Sequence, residues 1–248
     1  MWLKRALREA ELIDGPAESI SLDDYRAGFA AVEWTNRHLG GASALIRPLE
    51  SMSRKRRLGS FTILDVGCGG GDVDDEILRW AVRRNLGITI LGIDSHPHAV
   101  RVARERLGAH RETAVSQIDF FETKFSNGSF DFVISTMLLH HLPEARIAEF
   151  LWRAWRIARA GVIVVDLRRS LPAYMAARWI VPRLAPASAV FAHDAPLSFR
   201  RAFTLKEIRE LTVKNNLPYL AKIPWRSPFR IVLTAERSEQ PPIMTTPG

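Results

Sequence analysis

From residue 61 onward the chain alternates short apolar, β-branched runs with stretches of helical periodicity. The runs are Phe61–Val66, Thr89–Ile93, a weaker Thr113–Ile118, Phe130–Ser135 and Val162–Leu167. The stretches between them are Asp72–Arg84, His98–Leu107 and Glu144–Ala158. Strands covered on both faces read as unbroken apolar runs, and their alternation with helices predicts a parallel sheet with crossover helices. Tyr219–Ile223 and Arg230–Ala235 look like an antiparallel pair closing one sheet edge, which makes seven strands in an α/β fold.

The flanks follow other patterns. Residues 1–57 read as an N-terminal helical cap. Leu22, Tyr25, Phe29, Val32 and Leu39 lie at helical spacing, and Gly40-Gly41 ends that helix. Arg54-Lys55-Arg56-Arg57 is a basic run expected in a linker. The main domain spans 58–237. Inside it, residues 168–203 form an insertion rich in Arg, Pro, Ala and aromatics, and insertions at the C-terminal edge of a parallel sheet commonly build the substrate side of a site. Tyr174, Met175, Trp179, Ile180, Val181, Val190 and Phe191 within it predict a helical lid with an apolar inner wall, against the plainer reading of extra core. Thr204 and Glu207 form a capping-box signature that opens a helix to about Asn215. The tail 238–248 is Pro- and Thr-rich and expected to fray.

Composition narrows the class. The 248 residues are 47% apolar and 25% charged, enough to bury a core. A single cysteine, Cys68, excludes an internal disulfide framework and a cysteine-based zinc cluster. No run of apolar residues is long enough for a membrane span, and the opening MWLKRALREAELIDG carries charge where a secretory signal needs an apolar stretch. A soluble, cytoplasmic chain is expected. The net charge of +8 is uneven: residues 146–237 hold 17 basic and 6 acidic side chains. That excess suits an anionic partner or simply a solvated face.

The sharpest motif is ILDVGCGGGDV, residues 63–73. A strand runs into Gly67, Gly69, Gly70 and Gly71, and a helix starts at once, so a ligand can approach bare backbone. The dinucleotide pattern G-x-G-x-x-G fails because Asp72 stands at its sixth position, and no phosphate-loop lysine follows. Asp65, Asp72, Asp74, Asp75 and Glu76 crowd the helix mouth, where they repel a phosphate and suit a cation. A nucleoside bearing a sulfonium and an ammonium group meets that requirement. Asp94 at the end of the second strand can accept hydrogen bonds from both ribose hydroxyls. Asp119 after the third strand can meet an adenine amino group, and Phe120 can stack on the ring or belong to the core.

LDVGCGGG, GID, the Asp119 motif and FDFVISTMLLHHLPE together resemble the class I S-adenosylmethionine-dependent methyltransferases over about residues 60–167. LLHHL resembles the ubiquinone and menaquinone-biosynthesis type. NRHLGG, VVDLRRSLPAYMAARW and HDAPLSFRRAFT resemble methyltransferases found beside bacterial type III polyketide synthases. The resemblance implies a Rossmann-like seven-stranded, mostly parallel sheet with an antiparallel last strand, N-terminal helices and a helical insertion after strand five. It implies S-adenosyl-L-methionine as cofactor, held by Asp65, Gly67, Gly69, Asp94, Ser95, Asp119, Phe120 and Thr136.

Methyl transfer needs an aligned nucleophile and little water. A phenol titrates near 10, so a base helps. His140 and His141 follow strand four, where the methyl should sit, and one of them is expected to be structural. His193 beside Asp194 is a further candidate. Arg168, Arg169, Arg200 and Arg201 flank the insertion and suit a phenolate or acidic acceptor, or a salt-bridged surface; with Tyr174 and Trp179, Arg168 and Arg200 form the expected substrate-binding set. No Asp/His spacing marks a metal site. The favoured reading is O-methylation of a phenolic, quinol-like or polyketide-derived small molecule by a monomer or homodimer. C-methylation of such a ring, an RNA methyltransferase and a non-catalytic cofactor-binding protein are its rivals. Against RNA, Ser135-Thr136-Met137-Leu138 stands where enzymes acting on exocyclic amines carry an N/D-P-P-Y/F motif.

Overall fold

The computed structural model describes residues 3–6, 9–38, 40–179 and 188–238. Seven strands form one sheet: β1 Ser60–Val66, β2 Gly87–Asp94, β3 Thr113–Gln117, β4 Phe130–Thr136, β5 Ala158–Leu167, β6 Leu220–Lys222 and β7 Arg230–Glu236. Their order is β3-β2-β1-β4-β5-β7-β6. The first five are mutually parallel, and β7 runs antiparallel to β5 and β6. The expected architecture, including the antiparallel edge pair, is therefore present.

Each central strand feeds two cores, because successive side chains leave a strand on opposite faces. On one face Leu64, Val133, Val162 and Val164 pack against Ile147, Phe150 and Leu151 of α5 (Glu144–Ile157) and Ile208 of α8 (Leu205–Lys214). On the other, Ile63, Phe132, Ile134 and Ile163 pack against Leu45 and Leu49 of α2 (Gly41–Lys55) and Ile77 and Trp80 of α3 (Asp72–Arg84). Burial on both sides explains why these strands carry no alternation of polar residues.

Strand order reverses at β1, which lies between β2 and β4. The turns leaving β1 and β4 diverge there and open a crevice at the C-terminal edge of the sheet. Three elements close it: α1 (Leu22–His38), α6 (Leu171–Trp179) and α7 (Ala189–Arg201). The last contacts both of the others. The capping box forms as expected, with Thr204 accepting from the Glu207 N–H and the Glu207 carboxylate accepting from the Thr204 N–H.

Some boundaries differ from the expectation. Arg54 and Lys55 are the last turn of α2 rather than a linker, and Lys55 pairs with Glu236 at 3.0 Å. Basic residues suit a helix C-terminus, which their sequence run alone does not reveal. β5 begins at Ala158, where α5 ends, because the edge of β4 offers Phe130 a partner there. Leu39, Ile180, Val181 and the tail from residue 239 lie outside the described residues.

Candidate active site

The turn between β1 and α3 follows from its glycines. Gly67, Gly69 and Gly71 hold φ of +71°, +54° and +72°, which L side chains rarely adopt. A Cβ on Gly67 would stand 3.2 Å from Leu138, and one on Gly69 would stand 3.1 Å from the Phe29 ring. The turn is tied to β2: the N–H groups of Gly67 and Cys68 donate to the Ile93 carbonyl at 2.8 and 3.1 Å. One Asp94 oxygen accepts from the Gly69 N–H at 3.0 Å and the other from the His96 N–H at 2.9 Å. A carboxylate has about four lone-pair sites, so both oxygens keep acceptor capacity toward the crevice.

The crevice is a cavity of about 400 Å³. Gly67, Gly69, Asp94, Ser95 and Thr136 line it. Of the acidic residues at the helix mouth, Asp72 faces it, accepting from Asn36 Nδ2 at 2.9 Å. Burial pushes the Asp72 carboxyl above the usual carboxylate range. Asp75 and Glu76 turn to Arg79, at 2.5 and 3.2 Å.

Asp65 stands apart from the cavity lining. Its side chain is 1% exposed and lies behind the glycine turn with Asp74, away from the cavity lining. Burial and the neighbouring carboxyl push Asp65 well up; Asp74 is pushed up to about 7, mainly by burial. Two such groups share a proton more readily than both ionise.

Asp119 and Phe120 also stand apart from the cavity lining. Asp119 Oδ1 accepts from the Phe121 N–H at 2.8 Å, a local turn, and does not line the cavity. Phe120 is 4% exposed and packs edge-to-face on Phe150, so it is a core aromatic. The alternation of a strand end does not distinguish an inward ring from one facing a ligand.

Both histidines after β4 line the cavity. His140 hydrogen-bonds through Nδ1 to Asp166 Oδ1 at 2.6 Å, and its N–H donates to Asp166 Oδ2 at 3.1 Å. Burial would raise Asp166, but the His140 contact outweighs it and holds the carboxyl below the usual range. His140 Nε2 is buried and has no hydrogen-bond partner. His141 Nδ1 lies 2.9 Å from Asp14 Oδ2. Burial alone would lower His141, but Glu11, Asp14 and Asp166 outweigh it and push the imidazole up to about 9.

The third histidine is not part of this group. His193 is half exposed, pairs with Asp194 at 2.7 Å and does not line the cavity. Asp194 instead accepts from the N–H groups of Leu12 and Ile13 at 2.8 and 3.0 Å, pinning the N-terminal segment to α7. The expected substrate set is likewise displaced. Arg168 donates to the Pro228 carbonyl, and Arg200 makes two bonds to Glu9 at 2.8 and 2.6 Å. Tyr174 does not line the cavity, and Trp179 is 52% exposed on the outer side of α6. The α6 residues facing inward are Ala173, Ala176 and Ala177.

Several lining residues carried no signal in the sequence. Glu11, Asp14, Tyr25 and Phe29 come from the N-terminal segment. Tyr25 stacks on His96 with centroids 4.5 Å apart and donates to the Ile13 carbonyl at 2.6 Å. Arg230, at the start of β7, is 4% exposed. One of its nitrogens donates to Asn36 Oδ1 at 3.0 Å and the other is buried without a partner. Burial lowers it to about 10 against the pull of Asp166 and Asp72, which leaves it charged at neutral pH.

Residues 63–161 match the family model described as a methyltransferase domain. The chain is 30% identical over 145 residues to a ubiquinone biosynthesis O-methyltransferase of Paramagnetospirillum magneticum, covering 55% of this chain and 49% of that protein. A counterpart from Xanthomonas euvesicatoria is 32% identical over 102 residues, covering 39% and 38%. The chain thus matches about half or less of the length of these curated relatives. Among solved structures, a plantazolicin methyltransferase in complex with a pentazolic analogue and SAH (S-adenosylhomocysteine) superposes with a TM-score of 0.58 at 14% identity, over 86% of this chain and 95% of that one. The magnesium protoporphyrin IX methyltransferase of Synechocystis PCC 6803, with bound SAH, gives 0.54 at 17% identity over 87% and 86%. No described helix is long and apolar enough to cross a membrane.

Proposed function

We propose that this chain, a class I methyltransferase in fold and domain content, moves the methyl group of S-adenosylmethionine to a hydroxyl of a phenolic, quinol-like or polyketide-derived small molecule. When bound, that cofactor supplies an electrophilic methyl on a sulfonium. The observation that carries the reading is the convergence, at the point where strand order reverses, of the positive-φ glycine turn with Asp94, Asp72 and Arg230.

The residues present fit such a cofactor. Asp94 retains lone pairs for ribose hydroxyls while its backbone bonds to Gly69 and His96 hold it in place. Asp72 offers a carboxylate to the ammonium group. Arg230 offers its unpartnered nitrogen to the carboxylate of the same amino-acid moiety. A pyrophosphate has no such match, since Asp72 and Asp94 would repel it.

Thr136, the glycine turn and the two histidines line one cavity, so the histidines belong to the same crevice as the proposed cofactor region. An acceptor hydroxyl reaching them meets two imidazoles backed by Asp166 and Asp14. Ala173 and Ala177 leave room for a ring, and α1, α6 and α7 exclude water around it. The likeness to ubiquinone biosynthesis O-methyltransferases supports oxygen as the methylated atom.

Calorimetry with S-adenosylhomocysteine tests the cofactor half. Wild type binds, and Asp94→Ala weakens binding by tenfold or more, since a hydrogen bond to a charged group contributes about 1.5–3 kcal/mol. Unchanged affinity in that variant would refute the assignment. Labelled cofactor with a phenol panel tests the acceptor half, and NMR of the product reads whether the methyl sits on oxygen or carbon.

A further inference from the structure

We propose that Glu11, His140 and His141 form a binding site for a borderline divalent transition-metal ion of the Zn²⁺ type, set in the wall of the methyl-transfer cavity. The role assigned to the ion rests on the function proposed above; the site itself does not.

The donor atoms converge from two distant parts of the chain. His140 Nε2 stands 3.8 Å from Glu11 Oε1, and His141 Nε2 stands 4.0 Å from Glu11 Oε2. All three ligand atoms lie within 4.8 Å of one another. Donors bonded to zinc at about 2.0–2.1 Å stand roughly 3.3 Å apart. The two histidine–glutamate distances exceed that spacing by less than about 1 Å.

Two of these atoms lack a hydrogen bond. The His140 side chain is 0% exposed, and both its Nε2 and Glu11 Oε1 are buried without a hydrogen-bond partner. Leaving polar atoms in that state is costly, and one cation between them satisfies both. The remaining bonds orient the ligands. Each imidazole presents Nδ1 to a carboxylate, His140 to Asp166 at 2.6 Å and His141 to Asp14 at 2.9 Å. A proton on each Nδ1 leaves the Nε2 lone pair facing inward, which is the carboxylate–histidine–metal arrangement. Ser198 donates to Glu11 Oε2 at 2.7 Å and fixes the third ligand.

Charge and donor type select the ion. Glu11, Asp14 and Asp166 surround the two imidazoles, and the Arg201 guanidinium faces Glu11 at 3.6 Å. An ion binding at the Nε2 atoms displaces any proton they carry, and three carboxylates against one guanidinium then leave two negative charges, which a divalent cation neutralises. Two nitrogens and one carboxylate suit Zn²⁺, Fe²⁺ or Co²⁺ rather than Mg²⁺ or Ca²⁺, which prefer all-oxygen shells.

Three protein ligands leave a coordination position open, and all three line the cavity. An acceptor hydroxyl entering that position gives up its proton to solvent water more readily, because the cation stabilises the oxyanion. The oxygen lone pair then forms the new bond to the methyl carbon as the carbon–sulfur bond breaks, its electron pair passing to sulfur. The histidines serve as ligands in this scheme and not as free bases.

Untagged full-length protein, stripped with chelator and then dialysed against Zn²⁺ and metal-free buffer, retains about one ion per chain by elemental analysis. Co²⁺ in its place gives the visible absorption of a low-coordinate site. Glu11→Gln and His141→Gln each weaken Co²⁺ binding by at least tenfold, and Asp14→Asn, which acts through His141, weakens it by about tenfold to a hundredfold. Circular dichroism shows whether each variant is folded. Folded wild type that retains no ion and gives no band, or a band unchanged in Glu11→Gln and His141→Gln, overturns the site. S-adenosylhomocysteine calorimetry on the same samples separates the two ideas. Heat without a band sinks the metal alone, and a band without heat sinks the cofactor assignment alone.

Discussion

Arg230 shows how much one residue can decide. A guanidinium is seldom fully buried, and here one nitrogen satisfies Asn36 while the other faces the cavity region unpaired. The proposed partner is the carboxylate of the cofactor's amino-acid moiety, so Arg230→Gln, which keeps a donor for Asn36, weakens S-adenosylhomocysteine about tenfold by calorimetry. Methylthioadenosine lacks that carboxylate and binds both proteins equally; an equal loss for both ligands would count against this role. Asp74 sets a second residue-scale test. Its carboxyl titrates at about 7 in the native state, chiefly through burial, against about 3.9 unfolded. Native protein therefore holds a proton that the unfolded chain releases between those values, and stability falls as pH rises from about 4 to about 7. Asp74→Asn resembles the protonated form and removes that fall. Urea midpoints are expected to favour the variant increasingly from pH 4.5 to 7.5, with His141 and the other groups outside the Asp65–Asp74 pair cancelling in the difference. A gap that stays constant across this range would show that Asp74 is ionised throughout.

Elements govern the acceptor side. In α6 the helical phase puts the small residues inward and the large ones outward, whereas Val190, Phe191 and Phe199 of α7 line the cavity. Ala173 and Ala177 are each 1% exposed, while Trp179 is 52% exposed. Trp179→Ala is therefore expected to leave the acceptor KM within about twofold, whereas Ala177→Phe fills the cavity and raises that KM tenfold or more with S-adenosylhomocysteine affinity preserved. Steady-state kinetics on a reactive phenol and calorimetry read the two effects, and a large KM change in Trp179→Ala would reverse the phase assigned to α6. The strands, the glycine turn and Asp94 were legible in the sequence because each depends on neighbours a few residues away: apolar runs, turn chemistry, a strand terminus. Phe120 was ambiguous, since ring type and position are the same for a core aromatic and a stacking one. Glu11 and Asp14 were invisible, because what brings them to His140 and His141 is the docking of the N-terminal segment on α7 through Asp194 and Tyr25, a contact between residues far apart in the chain.

For the whole molecule the open matter is the positive charge of residues 146–237. A nucleic-acid surface needs lysines and arginines free on one face, where they replace counterions. Here many of the described arginines bind the protein itself. Arg153 donates to the carbonyls of Phe121 and Thr123, Arg209 to Ala221, and Arg237 to Trp155 and Ala158. Arg159 pairs with Asp131, Arg169 with Glu207 and Arg200 with Glu9. Arg201 holds the carbonyls of His140 and His141. These guanidiniums tie off carbonyls at strand and helix ends, and they are spread around the fold instead of gathered in a stripe. A chain of net charge +8 is then expected to leave heparin at modest ionic strength, below about 0.3 M salt, with a shallow dependence of affinity on salt. Single-stranded RNA should give no saturable shift at 0.15 M salt. A steep salt slope, on the order of six or more released counterions, would mean that enough of these arginines leave their carbonyls to grip a polyanion, and would move the acceptor from a small molecule to a nucleic acid.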